Sequence, residues 1–313
     1  MLQAMGRLIL LVAFVVCFGA ASAFAYNYTN INYPGAAQSD AFGITSDGNV
    51  VVGNYYDAYG NQLGMFTYNT TTGVYTPVAR PTPSTSLAGI NHGRVMTGSS
   101  LSGSNIIGYI RNTLGGFAWF SYPGAYETQP RGINDSGDIA GYFRWNSADT
   151  AHCFVKQGGT YTVFRPKASP LSCVAQGLNG QGTSTGHVWL PAGAVYPNSP
   201  KKEYGWKRTI YGNYRIFSVN GRRTFARGIN DSLIVVGYSV GSIGADPHGF
   251  AANAGAITSD YQNLTVPQGY PIWSATVDYP GATGTYPQAI SNYGTIVGNW
   301  IDVSGRAHGF LAR

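Results

Sequence analysis

The stretch Arg131-Gly-Ile-Asn-Asp-Ser-Gly137-Asp-Ile-Ala-Gly141-Tyr142 has a near twin at Arg227-Gly-Ile-Asn-Asp-Ser-Leu233-Ile-Val-Val-Gly237-Tyr238. Further copies run from Ala289 to Asn299 and from Gly43 to Asn54. Two weaker ones run from Gly89 to Gly98 and from Gly177 to Gly186. The copies start at 43, 89, 132, 177, 228 and 289, a period of about 45 residues until the last intervals lengthen. Self-similarity at such a period marks a repeat architecture. Asn-Asp-Ser-Gly between two apolar runs is hairpin chemistry, because Asp and Asn bond their own backbone and Gly takes positive φ. The Gly ending each second run marks a bulge or a close backbone approach.

Two elements travel with this core. A short apolar strand follows, as in Gly64-Met-Phe-Thr, Gly108-Tyr-Ile, His152-Cys-Phe-Val, His248-Gly-Phe-Ala and His308-Gly-Phe-Leu. In the fourth copy its nearest match is Tyr204-Gly-Trp206, displaced by an insertion. Tyr-Pro-Gly precedes three cores, at Tyr33, Tyr122 and Tyr279. Each unit therefore reads as four short strands, the size of a propeller blade. The first unit is preceded by a lone fourth strand, Tyr26 to Gly35, and the last lacks one, ending at Arg313. The expected fold is all-β: one β-propeller domain over residues 26–313, of about six four-stranded blades. The N-terminal strand is expected to pair with the C-terminal blade and remove two open edges.

The units resemble the HAF-type repeats of bacterial extracellular proteins, whose pattern runs Gly-Ile-Asn-Asp-x-Gly-x-Val-Val-Gly and then His-Ala-Phe-Leu. Gly132 to Gly141 with His152-Cys153-Phe154 carries the match. So do Gly228 to Gly237 with His248-Gly249-Phe250, and Ala289 to Gly298 with His308-Gly309-Phe310. The second and fourth copies depart from it. The resemblance implies an extracellular repeat scaffold and says little about activity.

Residues 1–25 read as a secretory signal peptide. Arg7 supplies the charge, Leu8 to Phe18 the apolar core, and Ala21-Ser-Ala-Phe-Ala25 the small residues at the cleavage site. That core is too short for a membrane span, which takes roughly 20 residues. A secreted, periplasmic or extracellular protein without a membrane span is expected. Charged residues are only 10% of the chain, and the net charge of +6 is scattered rather than striped, which argues against nucleic-acid binding. Cys153 and Cys173 could close a loop of about 20 residues, worth roughly 3 kcal/mol. Two buried thiols are the expected state, because a domain of this size needs no staple.

No catalytic pattern stands out. Gly-x-Ser-x-Gly is spelled at Gly182 to Gly186 and at Gly237 to Gly241, but both lie in or just after a repeat core and not in the strand-to-helix turn that a nucleophile elbow needs. His152, His248 and His308 recur at equivalent places, which favours a shared hydrogen bond over a metal site, and no cofactor is expected. Asp135 and Asp138 fit a turn better than half a calcium loop. What varies between units lies in connections at one rim: Tyr56, Asp57, Tyr59, Tyr126, Glu127, Arg131, Arg144, Trp145, Asp149, Arg222, Arg227, Trp300, Asp302 and Arg306. Aromatic faces beside Arg and Asp suit sugars and also protein interfaces. The expected function is non-catalytic binding or adhesion, with carbohydrate, another extracellular surface polymer or a protein as partner. A polysaccharide hydrolase or lyase and a structural matrix component are the alternatives.

Overall fold

The computed structural model describes residues 26–166, 170–242, 244–266 and 274–313; the signal peptide and cleavage point expected over residues 1–25 fall outside them. β1 (Tyr28–Ile31) precedes the first repeat unit, which holds β2 (Gln38–Ile44), β3 (Val50–Tyr56), β4 (Gln62–Asn69) and β5 (Tyr75–Val78). The second holds β6 (Ser86–Ile90), β7 (Met96–Ser102), β8 (Asn105–Arg111) and β9 (Phe117–Phe120). The third holds β10 (Glu127–Ile133), β11 (Ile139–Arg144), β12 (His152–Gln157) and β13 (Thr160–Phe164). The fourth holds β14 (Ser172–Leu178), β15 (Ser184–Leu190), β16 (Lys202–Arg208) and β17 (Tyr214–Val219). The fifth holds β18 (Arg223–Ile229), β19 (Ile234–Val240), β20 (His248–Asn253), β21 (Tyr261–Leu264) and β22 (Ser274–Thr276). The sixth holds β23 (Gly284–Ile290), β24 (Ile296–Ile301) and β25 (Ala307–Ala312), and β1 pairs antiparallel with β25. Among the described residues the helical content is one 3-10 turn, Ala254–Ala256, and no helix is long and apolar enough to cross a membrane.

Two details depart from uniform four-stranded units. β21 leaves its own unit and adds to β17 in parallel, giving the fourth unit a fifth strand. The long interval before the last repeat supplies the chain for this excursion. The second and third units are joined by one parallel bridge, Glu127 to Ile106.

The repeat motif earns its regularity position by position. In every hairpin between the first two strands, the N–H of the fourth turn residue donates to the carbonyl of the first, as from Gly137 to Asn134. That fourth residue has positive φ even where Gly is absent, at Arg94 and Leu233. The motif Asn works twice. Its Oδ1 accepts from its own turn, as Asn134 does from the Asp138 N–H. Its Nδ2 donates to the next unit: Asn91 to the Asn134 carbonyl, Asn134 to Asn179, Asn179 to Asn230, and Asn230 to Ser291, at 3.0–3.1 Å. These asparagines are buried. Each such bond contributes about 1 kcal/mol net, and more is lost if one partner is left alone.

Gly at the start of five of the six motifs (the sixth has Ala289) lets the neighbouring first strands touch. A Cβ at Gly177 would lie 2.6 Å from the Arg227 carbonyl oxygen, and one at Gly132 would lie 2.8 Å from that of Gln176. Each Tyr of Tyr-Pro-Gly stacks on the second strand of the following unit: Tyr33 on Tyr55, Tyr122 on Phe143 and Tyr279 on Trp300, with centroids 3.8–4.3 Å apart.

The cysteine expectation is corrected. Cys153 in β12 and Cys173 in β14 are disulfide-bonded, with Cα atoms 5.2 Å apart. They belong to adjacent units, and the Cys173 N–H also donates to the Ala151 carbonyl. Domain size argued against a staple, but it carried no information about this inter-unit distance, which lies within bonding range.

Candidate functional site

Every inner strand carries a β-bulge at the residue just before the motif Gly. The extra residues are Phe42, Ala88, Arg131, Gln176, Arg227 and Gln288. Opposite each bulge stands the second Gly of the motif, whose missing side chain accommodates it. A Cβ at Gly53, Gly98, Gly141, Gly186, Gly237 or Gly298 would come within 2.0–2.3 Å of an inner-strand carbonyl oxygen. A bulge re-aims a side chain. Here all six line one central cavity of about 80 Å³. Its floor is a ring of aliphatic side chains, Ile44, Ile90, Ile133, Leu178, Ile229 and Ile290, which also line a second cavity of about 60 Å³ toward the hairpin ends.

Phe42, Ala88, Gln176 and Gln288 give the cavity no charge, so Arg131 and Arg227 set its sign. Each guanidinium lies over a tyrosine of its own unit, 5.4 Å from the Tyr142 centroid and 5.3 Å from that of Tyr238. Nη2 of Arg227 donates to the Tyr238 hydroxyl at 3.2 Å, and the Arg131 equivalent reaches Tyr142 at 3.4 Å. The Nε atoms of both arginines are enclosed and have no hydrogen-bond partner. His187 in β15 lies between the two units that supply them. Its ring meets Phe225 edge-on, and its Nδ1 is likewise enclosed and unpartnered. Burial, then Arg227 and Arg131, hold its pKa well below the ordinary value, so the imidazole is neutral.

Two carboxylates stand on the same rim. Glu127 is 5% exposed. It accepts from the Tyr142 hydroxyl at 3.0 Å and from Gln129 Nε2 at 2.6 Å, and it pairs with Arg144 Nε at 3.4 Å. Burial raises the pKa of Asp40 to about 6, against the lowering effect of the Tyr56 hydroxyl bonded to it.

The rim residues expected from the sequence divide sharply. Arg131 and Arg227 line the cavity, Glu127 and Arg144 are joined to Arg131 through Tyr142, and Tyr56 bonds Asp40 away from the cavity lining. Asp57, Asp149 and Asp302 instead fold their own turns. Asp57 accepts from the N–H groups of Tyr59 and Asn61, Asp149 from Trp145 and Thr150, and Asp302 from Ser304 and Arg306. Asp149 and Asp302 also bond His152 and His308, while His248 bonds Asp278. The recurrent histidines are thus tied to turn aspartates.

Trp300 is held by Tyr279, His308 and Asn30, so it belongs to the packing of β1. Trp145 packs edge-on against Tyr122 and Phe143 and remains 47% exposed. Tyr59 is 92% exposed at a loop tip. The backbone of Tyr126 bonds Arg144 and Ile106, and that of Arg222 closes a turn on Val219. Sequence reasoning missed His187, Asp40, Gln176 and Gln288. The glutamines had a signal, since they occupy the same pre-Gly position as Arg131 and Arg227. Among the described residues no three His, Cys, Asp or Glu side chains cluster to hold a metal.

His187 and Asp40 give opposing acid responses. The folded-state pKa of His187 is depressed, so its contribution is complete above about pH 6.5 and declines as pH falls. That of Asp40 is raised, so its contribution is complete below its ordinary 3.8 and is lost as pH rises through about 6. Each slope is up to about 1.4 kcal/mol per pH unit, and between about pH 4 and 6 the two oppose each other. Asp40→Asn should melt at lower temperature at pH 4.5 than at pH 6.5, and His187→Gln should do the reverse. The two variants should diverge by roughly 5 °C or more. Parallel melting curves for the two variants would show that neither group titrates in this way.

No protein-family model matches the chain, and no curated protein matches it in sequence. Solved structures do. A neuraminidase-like protein from A/bat/Guatemala/164/2009 matches with TM-score 0.51 at 11% identity, covering 93% of this chain and 94% of the other. A gluconolactonase from Xanthomonas campestris matches with TM-score 0.50 at 11% identity, covering 91% and 89%. A second gluconolactonase-like protein matches with TM-score 0.50 at 11% identity, covering 93% of each chain. At such identity the likeness is one of fold: this chain is a β-propeller.

Proposed function

We propose that the chain is an extracellular, non-catalytic binding propeller that takes carbohydrate or another surface polymer at its axial mouth. In this reading the repeat units are six blades, and β1 on β25 closes the ring. The observation that carries the proposal is the bulge. The six residues at the motif's variable position all line one cavity. A rigid scaffold with adaptable groups at one concave end is the usual form of a ligand site. The test is a glycan array and a polymer pull-down with residues 26–313. Wild type should bind, and Gln176→Ala with Gln288→Ala should weaken binding at least tenfold. Trp145→Ala should matter less, because its ring is engaged with its own blade. No binding by wild type to any glycan or polymer would overturn the proposal.

A further inference from the structure

We infer that the axial cavity is an oxyanion site, in which Arg131 and Arg227 clasp a single acidic group of a larger ligand. The inference rests on the binding reading above and narrows its ligand to acidic molecules.

The argument begins with charge. Among the described residues neither Arg131 nor Arg227 has an acidic partner, whereas the neighbouring Arg144 and Arg223 pair with Glu127 and Glu203. Evenly paired arginines would leave the mouth neutral. Instead, of these four, the two at the bulges are the ones without a carboxylate. Enclosed donors point the same way. Leaving a buried polar group unsatisfied costs about 1–3 kcal/mol. Arg131 Nε, Arg227 Nε and His187 Nδ1, in three consecutive units, are enclosed without a partner, as are four other side-chain atoms, Arg144 Nε among them. A negatively charged group in the cavity would satisfy the guanidinium donors.

Size then sets the class. A cavity of about 80 Å³ has room for a few waters or one carboxylate, sulfate or phosphate group, and not for a sugar ring. The ligand must therefore insert only its acidic end. The neutral side chains complete the design. Gln176 and Gln288 line the same cavity and offer amide donors. Tyr142 and Tyr238 hold the guanidinium planes from below, so the arginines are positioned before the ligand arrives. Preorganised forks of this kind suit oxyanions, which they meet with paired N–H donors. A protonated imidazole would add a third positive charge, and the neutral form avoids that cost.

The test uses residues 26–313 with four probes: glucuronate, glucose 6-sulfate, inorganic phosphate and glucose. Calorimetric titration should detect at least one of the three anions and no binding of glucose. The order among the anions identifies whether the natural group is a carboxylate, a sulfate or a phosphate. Arg131→Gln and Arg227→Gln should each weaken that anion at least tenfold, and the double variant should abolish binding. Arg227→Lys should retain part of it. The free variants should melt close to wild type, because each side chain is only half-buried and has no acidic partner. Should a variant fail to fold, wild type still decides, since binding must weaken as salt is raised.

Binding of glucose as tight as that of glucuronate, or unchanged affinity in the Arg227→Gln variant, would overturn the inference. Neutral glycans captured on the array by both wild type and the arginine variants would sink the oxyanion site and leave the binding propeller standing. Anion binding with a silent array would do the opposite.

Discussion

Gly186→Ala should destabilise the protein by about 3 kcal/mol or more, lowering its melting temperature by roughly 6–12 °C. The reason is local and geometric. A Cβ at Gly186 would sit 2.0 Å from the Val174 carbonyl oxygen, 2.7 Å from the Trp206 ring and 3.0 Å from the Ala175 Cα. The first and last are backbone atoms of the bulged strand, and Trp206 is fully buried. None can step aside as an exposed side chain would. Relief would require flattening the bulge, which would withdraw Gln176 from the axis. The matched control is Gly137→Ala, in a hairpin turn at φ +84 with nothing near its Cβ position. That change meets only left-handed backbone strain, about 1 kcal/mol. Thermal melts of the two variants check the argument. Equal losses would show that the glycine serves conformational freedom alone, and the bulge would lose its assigned role.

The same glycines show what a sequence can and cannot carry. Their spacing revealed the units and the strand order, because turn chemistry and strand alternation are local. The partner of each Gly was not legible. Gly177 serves the next unit's backbone and Gly186 its own bulge, and both look alike in the motif. Asp57, Asp149 and Asp302 looked like ligand-holding groups because their types suit sugars. Their hydrogen bonds run to residues within a few positions, the usual economy of an Asx turn. His187 left no trace. It sits in one of the two weaker copies of the repeat, and what distinguishes it is the proximity of Arg131 and Arg227 from two other units. Cys153 and Cys173 were visible as a pair, yet only the packing of adjacent units brings them within bonding distance. The excursion of β21 onto β17 was also silent, since a parallel addition needs no turn signal.

Ile31→Asp should be far more damaging than Val78→Asp, although the two sites are near twins. β1 reads Tyr-Thr-Asn-Ile and β5 reads Tyr-Thr-Pro-Val, each an outer strand with only its last residue buried. Ile31 is 0% exposed and Val78 is 8% exposed, so an unpaired carboxylate at either costs several kcal/mol at the level of its own sheet. The difference lies in what each strand joins. β5 pairs with β4 through a short hairpin, so a frayed β5 stays tethered and the rest of its sheet remains closed. β1 pairs with β25 from the far end of the chain, Tyr28 opposite Ala312 and Ile31 opposite Gly309. Asn27 and Arg313 exchange both backbone hydrogen bonds, and Trp300 Nε1 donates to Asn30. If this pairing is the latch of a closed ring, losing it bares the edge of β25 and lets the first and last units part. A bared edge recruits other chains. Val78→Asp should therefore remain a monomer with a lowered but cooperative melt. Ile31→Asp should lose the cooperative transition and elute as oligomers, and an added peptide spanning Tyr26 to Gly35 should restore the monomer to a chain lacking residues 26–31. Two variants that lose equal stability and both stay monomeric would mean that β1 is an ordinary outer strand and that the ring holds without it.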